Sequence, residues 1–124
     1  MAKTLTSLVI VIATLASAVV GYSDNCSGSS SCQIATQQAC YDSISGYDDS
    51  TNYKQYTSRT SGSCTAIYRC TGVYPNADGA TLKTLFNSIY DLQGCKNCGS
   101  HAFDDGTCEV TLNYCAPDSC KNVG

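Results

Sequence analysis

The longest apolar stripe in the chain predicts a helix between Gly79 and Gly94. Leu82, Leu85, Phe86, Ile89 and Leu92 recur at i, i+3, i+4, i+7 and i+10, the period that gathers side chains on one helical face. Asp78 stands where an N-cap belongs and Gly94 where a helix stops. A two-residue rhythm over 63–71 predicts a strand, with Cys64, Ala66, Tyr68 and Cys70 alternating with Thr65, Ile67 and Arg69. Residues 108–115 alternate in the same way, with Val110, Leu112 and Tyr114 predicted inward and Glu109, Thr111 and Asn113 outward. Residues 53–58 read as another strand, Tyr53 and Gln55 on one face, Lys54 and Tyr56 on the other. The turn at 60–63 folds it back as a hairpin onto the Cys64 strand. Over 33–45, the spacing of Ile34, Ala35, Cys40, Tyr41 and Ile44 predicts a short helix, capped from Ser29 to Ser31 and ended at Gly46. The stretches 46–52, 72–79 and 99–106 read as loops. Strands, then a helix, then a strand predict an α+β fold: a disulfide-stapled α/β sandwich whose antiparallel sheet carries two helices on one face.

The first 18 residues have a different pattern. Lys3 precedes the apolar run from Leu8 to Leu15, and Ala16-Ser17-Ala18 is an A-x-A cleavage site, so 1–18 reads as a signal peptide. Cleavage after Gly21 is the alternative. The apolar stretch from Leu5 to Val20 is 16 residues long and carries Thr6, Ser7, Thr14 and Ser17, short of the ~20 that a spanning helix needs. Residues 19–124 then form one domain, expected to be secreted and not stably inserted in a membrane.

All ten cysteines lie in that domain: Cys26, Cys32, Cys40, Cys64, Cys70, Cys95, Cys98, Cys108, Cys115 and Cys120. An even number at such density implies a full disulfide framework. Staples also suit a composition without tryptophan and with two phenylalanines, because a thin core needs covalent help. Without Lys3, six basic residues face ten acidic ones, a net charge of −4. That balance excludes nucleic acid and anionic membrane as partners.

No constellation of catalytic residues stands out. Cys95-Lys96-Asn97-Cys98 follows a helix end, where the dipole opposes a thiolate, and zinc would need cysteines drawn from the disulfide count. Two structural disulfides leaving one turn is the reading adopted. His101 is the single histidine and lacks a nucleophile context. Asp104-Asp105 and Asp48-Asp49 read as solvated turns, without calcium-loop spacing. The chain is therefore read as a non-enzyme without metal or cofactor. Asn25-Cys26-Ser27 is a formal glycosylation sequon, hindered by its bridged middle residue. The nine tyrosines are expected to fill the core, with an exposed subset available for contacts.

Three motifs carry a family resemblance. Asn25-Cys26-Ser27-Gly28-Ser29-Ser30-Ser31-Cys32 resembles the N-C-x-G-S-S-x-C opening of the killer protein four toxins. Gly94-Cys95-Lys96-Asn97-Cys98-Gly99-Ser100 resembles their G-C-x-x-C-G-S, and Val110-Thr111-Leu112-Asn113-Tyr114 is similar to their L-T-V-N-Y strand. The middle of the chain, 41–79, matches poorly. The resemblance implies an antiparallel sheet covered by two helices, with Cys26 bridged to Cys95 and Cys32 to Cys98. It leaves the pairing of the other six cysteines open. It further implies a secreted monomer without catalysis that perturbs ion flux, calcium above all, at a cell-surface target such as a calcium channel in competing or host cells. A cationic side chain on the sheet side would serve such an activity. Lys54 is the nearest candidate, and Arg59, at the other end of the same predicted strand, is its companion. The family's type toxin is basic whereas this domain is acidic. That departure brings in the alternative of a host-directed effector binding a host protein or surface glycan.

Overall fold

The computed structural model describes residues 21–72, 76–116 and 119–124; the predicted leader 1–18 lies outside them. Eight elements follow in order: α1 (Gln37–Ser45), β1 (Asn52–Tyr53), β2 (Thr57–Ser61), β3 (Cys64–Cys70), β4 (Ala77–Asp78), α2 (Gly79–Asp91), β5 (Gly99–Phe103) and β6 (Cys108–Tyr114). β2, β3, β6 and β5 form an antiparallel sheet in that order, and β1 pairs with β4 in a second, two-stranded sheet. α1 packs on β2 and β3, and α2 on β5 and β6. The fold is the α+β sandwich expected from the pattern, with both helices on one face of the main sheet.

The core lies between those layers. Ala66 faces Leu112, and Tyr68 faces Val110, across the β3–β6 ladder. All four are buried against Leu82, Phe86 and Ile89 of α2 and Ile44 of α1. Burying each of these larger side chains stabilises by roughly 1.5–3 kcal/mol. Tyr47, Tyr53, Tyr68 and Tyr90 are buried too, and Tyr47 sits between Tyr53 and Phe86, with ring centroids 4.9 and 5.3 Å away. Tyrosine therefore does fill this core, while Tyr41 and Tyr56 are exposed.

Several boundaries differ from the sequence expectation. α1 begins at Gln37, not at 33. Its N-cap is Thr36, whose hydroxyl accepts from the Ala39 N–H at 3.1 Å, so Ser29 to Ser31 cap nothing and Ile34 is 58% exposed. Asp78 does cap α2, accepting from the Thr81 N–H at 2.7 Å. Leu92 leaves the stripe: it is the C-cap and is 84% exposed. The helix thus ends before Gly94, which turns the chain at φ +69°. The predicted strand 53–58 is split at Tyr56, whose φ is +61°, a region that bulky residues rarely adopt. Tyr53 ends one strand and Thr57 begins another in a different sheet. From 99 to 103 the predicted loop is strand β5, its ladder supplied by β6.

All ten cysteines are paired: Cys26–Cys95, Cys32–Cys98, Cys40–Cys64, Cys70–Cys108 and Cys115–Cys120. The first two are the pairs that the resemblance implies. Cys40–Cys64 ties α1 to β3, and Cys70–Cys108 joins directly opposed residues of β3 and β6. Such a framework is compatible with an oxidising compartment such as the extracellular space. No helix among the described residues is long and apolar enough to cross a membrane.

Both edges of the main sheet are covered by chain ends, which protects edges that would otherwise pair with other chains. At β5, Asn25 and Ser100 exchange backbone hydrogen bonds of 3.1 and 2.8 Å. At β2, Ser58 and Val123 do the same at 2.9 and 3.1 Å.

Candidate functional site

The three motifs that carry the resemblance converge on one clamp at the β5 edge. Asn25 pairs with Ser100, the Ser29 N–H donates to Asn113 Oδ1 at 3.0 Å, and the Ser100 and Thr111 hydroxyls lie 2.8 Å apart. Two glycines are required here by space. A Cβ on Gly28 would fall 2.4 Å from Cys32 Sγ, and one on Gly99 would fall 2.7 Å from Cys95 Sγ and 2.9 Å from the Asn25 oxygen. Asp24 adds a side-chain bond, accepting from the Ala102 N–H at 2.8 Å, with His101 Nδ1 3.2 Å from the same oxygen. Tyr22 lies under the Arg69 guanidinium, 5.1 Å from ring centroid to Cζ, and Arg69 pairs with buried Glu109. His101 thus serves the edge strap, and the C-x-x-C cysteines each reach back to the N-terminal segment as separate bridges.

Lys54 and Arg59 meet elsewhere. Although the strand between them is broken at Tyr56, both line a recess of about 640 Å³ with Thr51, Asn52, Tyr53, Gln55, Tyr56, Thr57 and Gly124. No acidic residue lines it. The break itself makes the recess: Lys54, Gln55 and Tyr56 bridge from β1 in the small sheet to β2 in the large one.

The two cations have different duties. Arg59 lies over the rings of Tyr47 and Tyr53 at 5.4 and 5.2 Å. Its guanidinium donates to the main-chain oxygens of Ser58 (2.8 Å), Val123 (3.0 Å) and Gly124 (2.7 Å). Cation–π contact and three charge-assisted bonds make it the latch of the C-terminal tail. Lys54 is exposed and makes no ion pair or hydrogen bond among the described residues. Lys96 and Lys121 are likewise exposed and unpaired among the described residues, but only Lys54 stands beside Arg59 in this recess.

The remaining candidates are used locally. Asp48 accepts from the Ser50 hydroxyl and N–H at 2.8 and 2.9 Å, which holds its carboxyl below the usual carboxylate range. Asp49 pairs with Lys83 at 3.0 Å. Asp104 and Asp105, at φ +52° and +56°, form the β5–β6 turn. Among the described residues no group of three or more His, Cys, Asp or Glu side chains could hold a metal ion. Asn25 is engaged on both sides of its amide, donating to the Ser23 oxygen at 3.1 Å and accepting from the Ser27 N–H at 3.0 Å.

Buried Tyr47 was missed as the organiser of the site. Its single hydroxyl proton has the Ala66 oxygen at 2.9 Å and the Thr57 oxygen at 3.1 Å as acceptors within reach, and burial pushes its pKa up to about 12. Only the tertiary pairing of β2 with β3 brings those acceptors together, so no local signal could have revealed it.

Fold and site together define a small five-disulfide α+β domain with an open recess between β1 and β2 that no Asp or Glu lines. Residues 24–120 match the sequence model of MU117, the meiotically up-regulated gene family, and the chain belongs to that family. The matched span opens two residues before Cys26 and closes at Cys120, so it takes in every staple. No curated protein and no solved structure matches the chain.

Proposed function

We propose that this protein is a secreted, non-enzymatic, killer-toxin-like protein that perturbs ion flux, calcium above all, in competing or host cells. The observation that carries the reading is Lys54: an exposed ammonium, unpartnered among the described residues, on the rim of a recess that no Asp or Glu side chain lines, on an otherwise acidic chain. An exposed ammonium presented in this way can engage the anionic mouth of a cation channel from outside. The screening length at physiological salt is about 8 Å, so the local charge governs the contact more than the net charge does.

The test is a growth-inhibition and calcium-uptake assay with purified native and Lys54→Gln protein, each with its disulfides verified. Native protein should inhibit uptake, added calcium should relieve the inhibition, and Lys54→Gln should lose most of it. Equal potency of the variant, or no protection by calcium, would overturn the reading. A second reading, a host-directed effector binding a host protein or surface glycan, is favoured by the acidic balance and by Tyr56, which is 54% exposed beside Lys54.

A further inference from the structure

We infer that the recess between β1 and β2 is a binding site for an acidic saccharide, a sugar ring bearing a carboxylate. The inference takes up the glycan branch of the second reading and is independent of the ion-flux reading.

Four neighbouring side chains on its wall have hydrogen-bonding groups that the fold does not use. Asn52, Lys54, Gln55 and Tyr56 are all exposed, and none makes a side-chain hydrogen bond among the described residues. Other polar side chains, among them Asp48, Asp78, Ser43, Ser45, Ser58, Thr60 and Gln93, bond within the chain; what sets these four apart is that they are consecutive or nearly so and line one recess. Two carboxamides offer both donors and acceptors, the mixture that sugar hydroxyls require. Tyr56, 54% exposed, supplies an aromatic ring for a sugar's C–H side. Its left-handed backbone sets that ring at the rim, and it is fixed by β1 pairing before it and β2 pairing after it. Strained residues held in this way gather at binding sites.

The charge selects among sugars. Lys54 has no partner among the described residues, Arg59 stands at the inner wall, and no Asp or Glu side chain lines the space to repel an anion. A neutral sugar would leave the ammonium unanswered, whereas a uronate carboxylate would pair with it. The volume, about 640 Å³, falls within the range of small-ligand clefts, about 300–1,000 Å³, and accommodates one or two sugar rings.

The experiment is an NMR titration of the full chain, disulfides intact, with α-1,4-digalacturonate, its neutral counterpart α-1,4-galactobiose, and acetate. Digalacturonate should give saturable shifts confined to amides of 51–59 and 123–124, and galactobiose should bind at least about tenfold more weakly. Lys54→Gln should weaken digalacturonate to the level of galactobiose. Tyr56→Asn, which keeps a residue tolerant of the left-handed region, should weaken both sugars about tenfold while the disulfide map and spectrum stay native. No saturable shift, shifts mapping elsewhere, an equal response to acetate, or native binding by either variant would each overturn the site. Because the measurement uses no cells, its failure leaves the calcium reading standing, and the loss of calcium inhibition would leave this one standing.

Discussion

The two edges of the main sheet solve the same problem with different bonds. At β5 the N-terminal segment is tied down by two disulfides, Cys26–Cys95 and Cys32–Cys98, spanning 69 and 66 residues. At β2 the tail carries one disulfide, Cys115–Cys120, which closes on itself over five residues and reaches no other element. What seats that tail on the sheet is the Ser58–Val123 pair, the Thr60 N–H donating to Asn122 Oδ1 at 2.8 Å, and Arg59. One edge is therefore a permanent part of the fold. The other is held by polar contacts that can open separately, and the candidate site lies beside it. Local opening of low-stability segments is where binding surfaces are usually found.

Replacing all four cysteines of the β5 staples with alanine should break the comparison most severely. The chain-entropy relation gives about 4 kcal/mol for the first long loop. With that bridge in place, the second closes a ring through six residues of strap and three of turn, worth about 2.5 kcal/mol more. Loss of both is comparable with a domain's whole stability, about 5–15 kcal/mol; loss of the Cys32–Cys98 pair alone should cost only the smaller amount. Urea unfolding of the two variants measures both, and equal midpoints would refute the nested account.

Arg59→Ala should come next, costing about 2–3 kcal/mol through lost charge-assisted bonds and ring contact. The loss should be local. Amide exchange at Ser58, Thr60 and Val123 should quicken while Asn25 and Ser100 stay protected. Uniform quickening across both edges would show that the tail is not a separate unit.

Tyr47→Phe should cost about 1 kcal/mol by removing the hydroxyl's buried hydrogen bond to the β2 and β3 carbonyls. Its pH signature is distinctive. Burial raises the tyrosine to about 12 in the folded protein, so the unfolded chain loses this proton first. The resulting stability is fully present below pH 10 and is lost as pH rises through about 12. Rapid denaturant titrations should show a shallower alkaline decline in the phenylalanine variant, and Tyr90, raised to about 12 by the same cause, should account for part of what remains. Smallest of all is the stability effect of Lys54→Gln, within about 0.5 kcal/mol. A larger shift in melting would mean that Lys54 supports the fold.

Much of the core side of the sheet was legible. The α2 stripe and the β3 and β6 alternations are local periodicities, and burial of Ala66, Tyr68, Val110 and Leu112 follows from them. Strand β5 was not legible, because Gly-Ser-His-Ala-Phe has neither alternation nor β-branched residues; its partners, Val110 opposite His101 and Asn25 opposite Ser100, are remote or tertiary. The break at Tyr56 escaped for a related reason. Aromatic and flanking residues favour a strand, and only the switch between two sheets forces the left-handed turn. Of the candidate site, Lys54 and Arg59 were named from the sequence, but on one continuous strand. Nothing local could show that one of them is bound by the chain's own Val123 and Gly124. The motifs that carry the resemblance turn out to build the clamp, so their specificity speaks for architecture more than for a target.

The staple pattern also sets how this domain would bear load if it were pulled from its two ends. The shortest covalent route enters at Cys26, crosses to Cys95, follows the backbone to Cys115 and crosses to Cys120. Only the 19 residues between Cys95 and Cys115 lie along it, a reach of about 70 Å when fully drawn out. Helices α1 and α2, and strands β1 to β4, hang on the side of that route, shielded from tension. Stretching would peel open the β5–β6 hairpin and leave the rest of the polypeptide slack, so the mechanical molecule is far shorter than the chemical one.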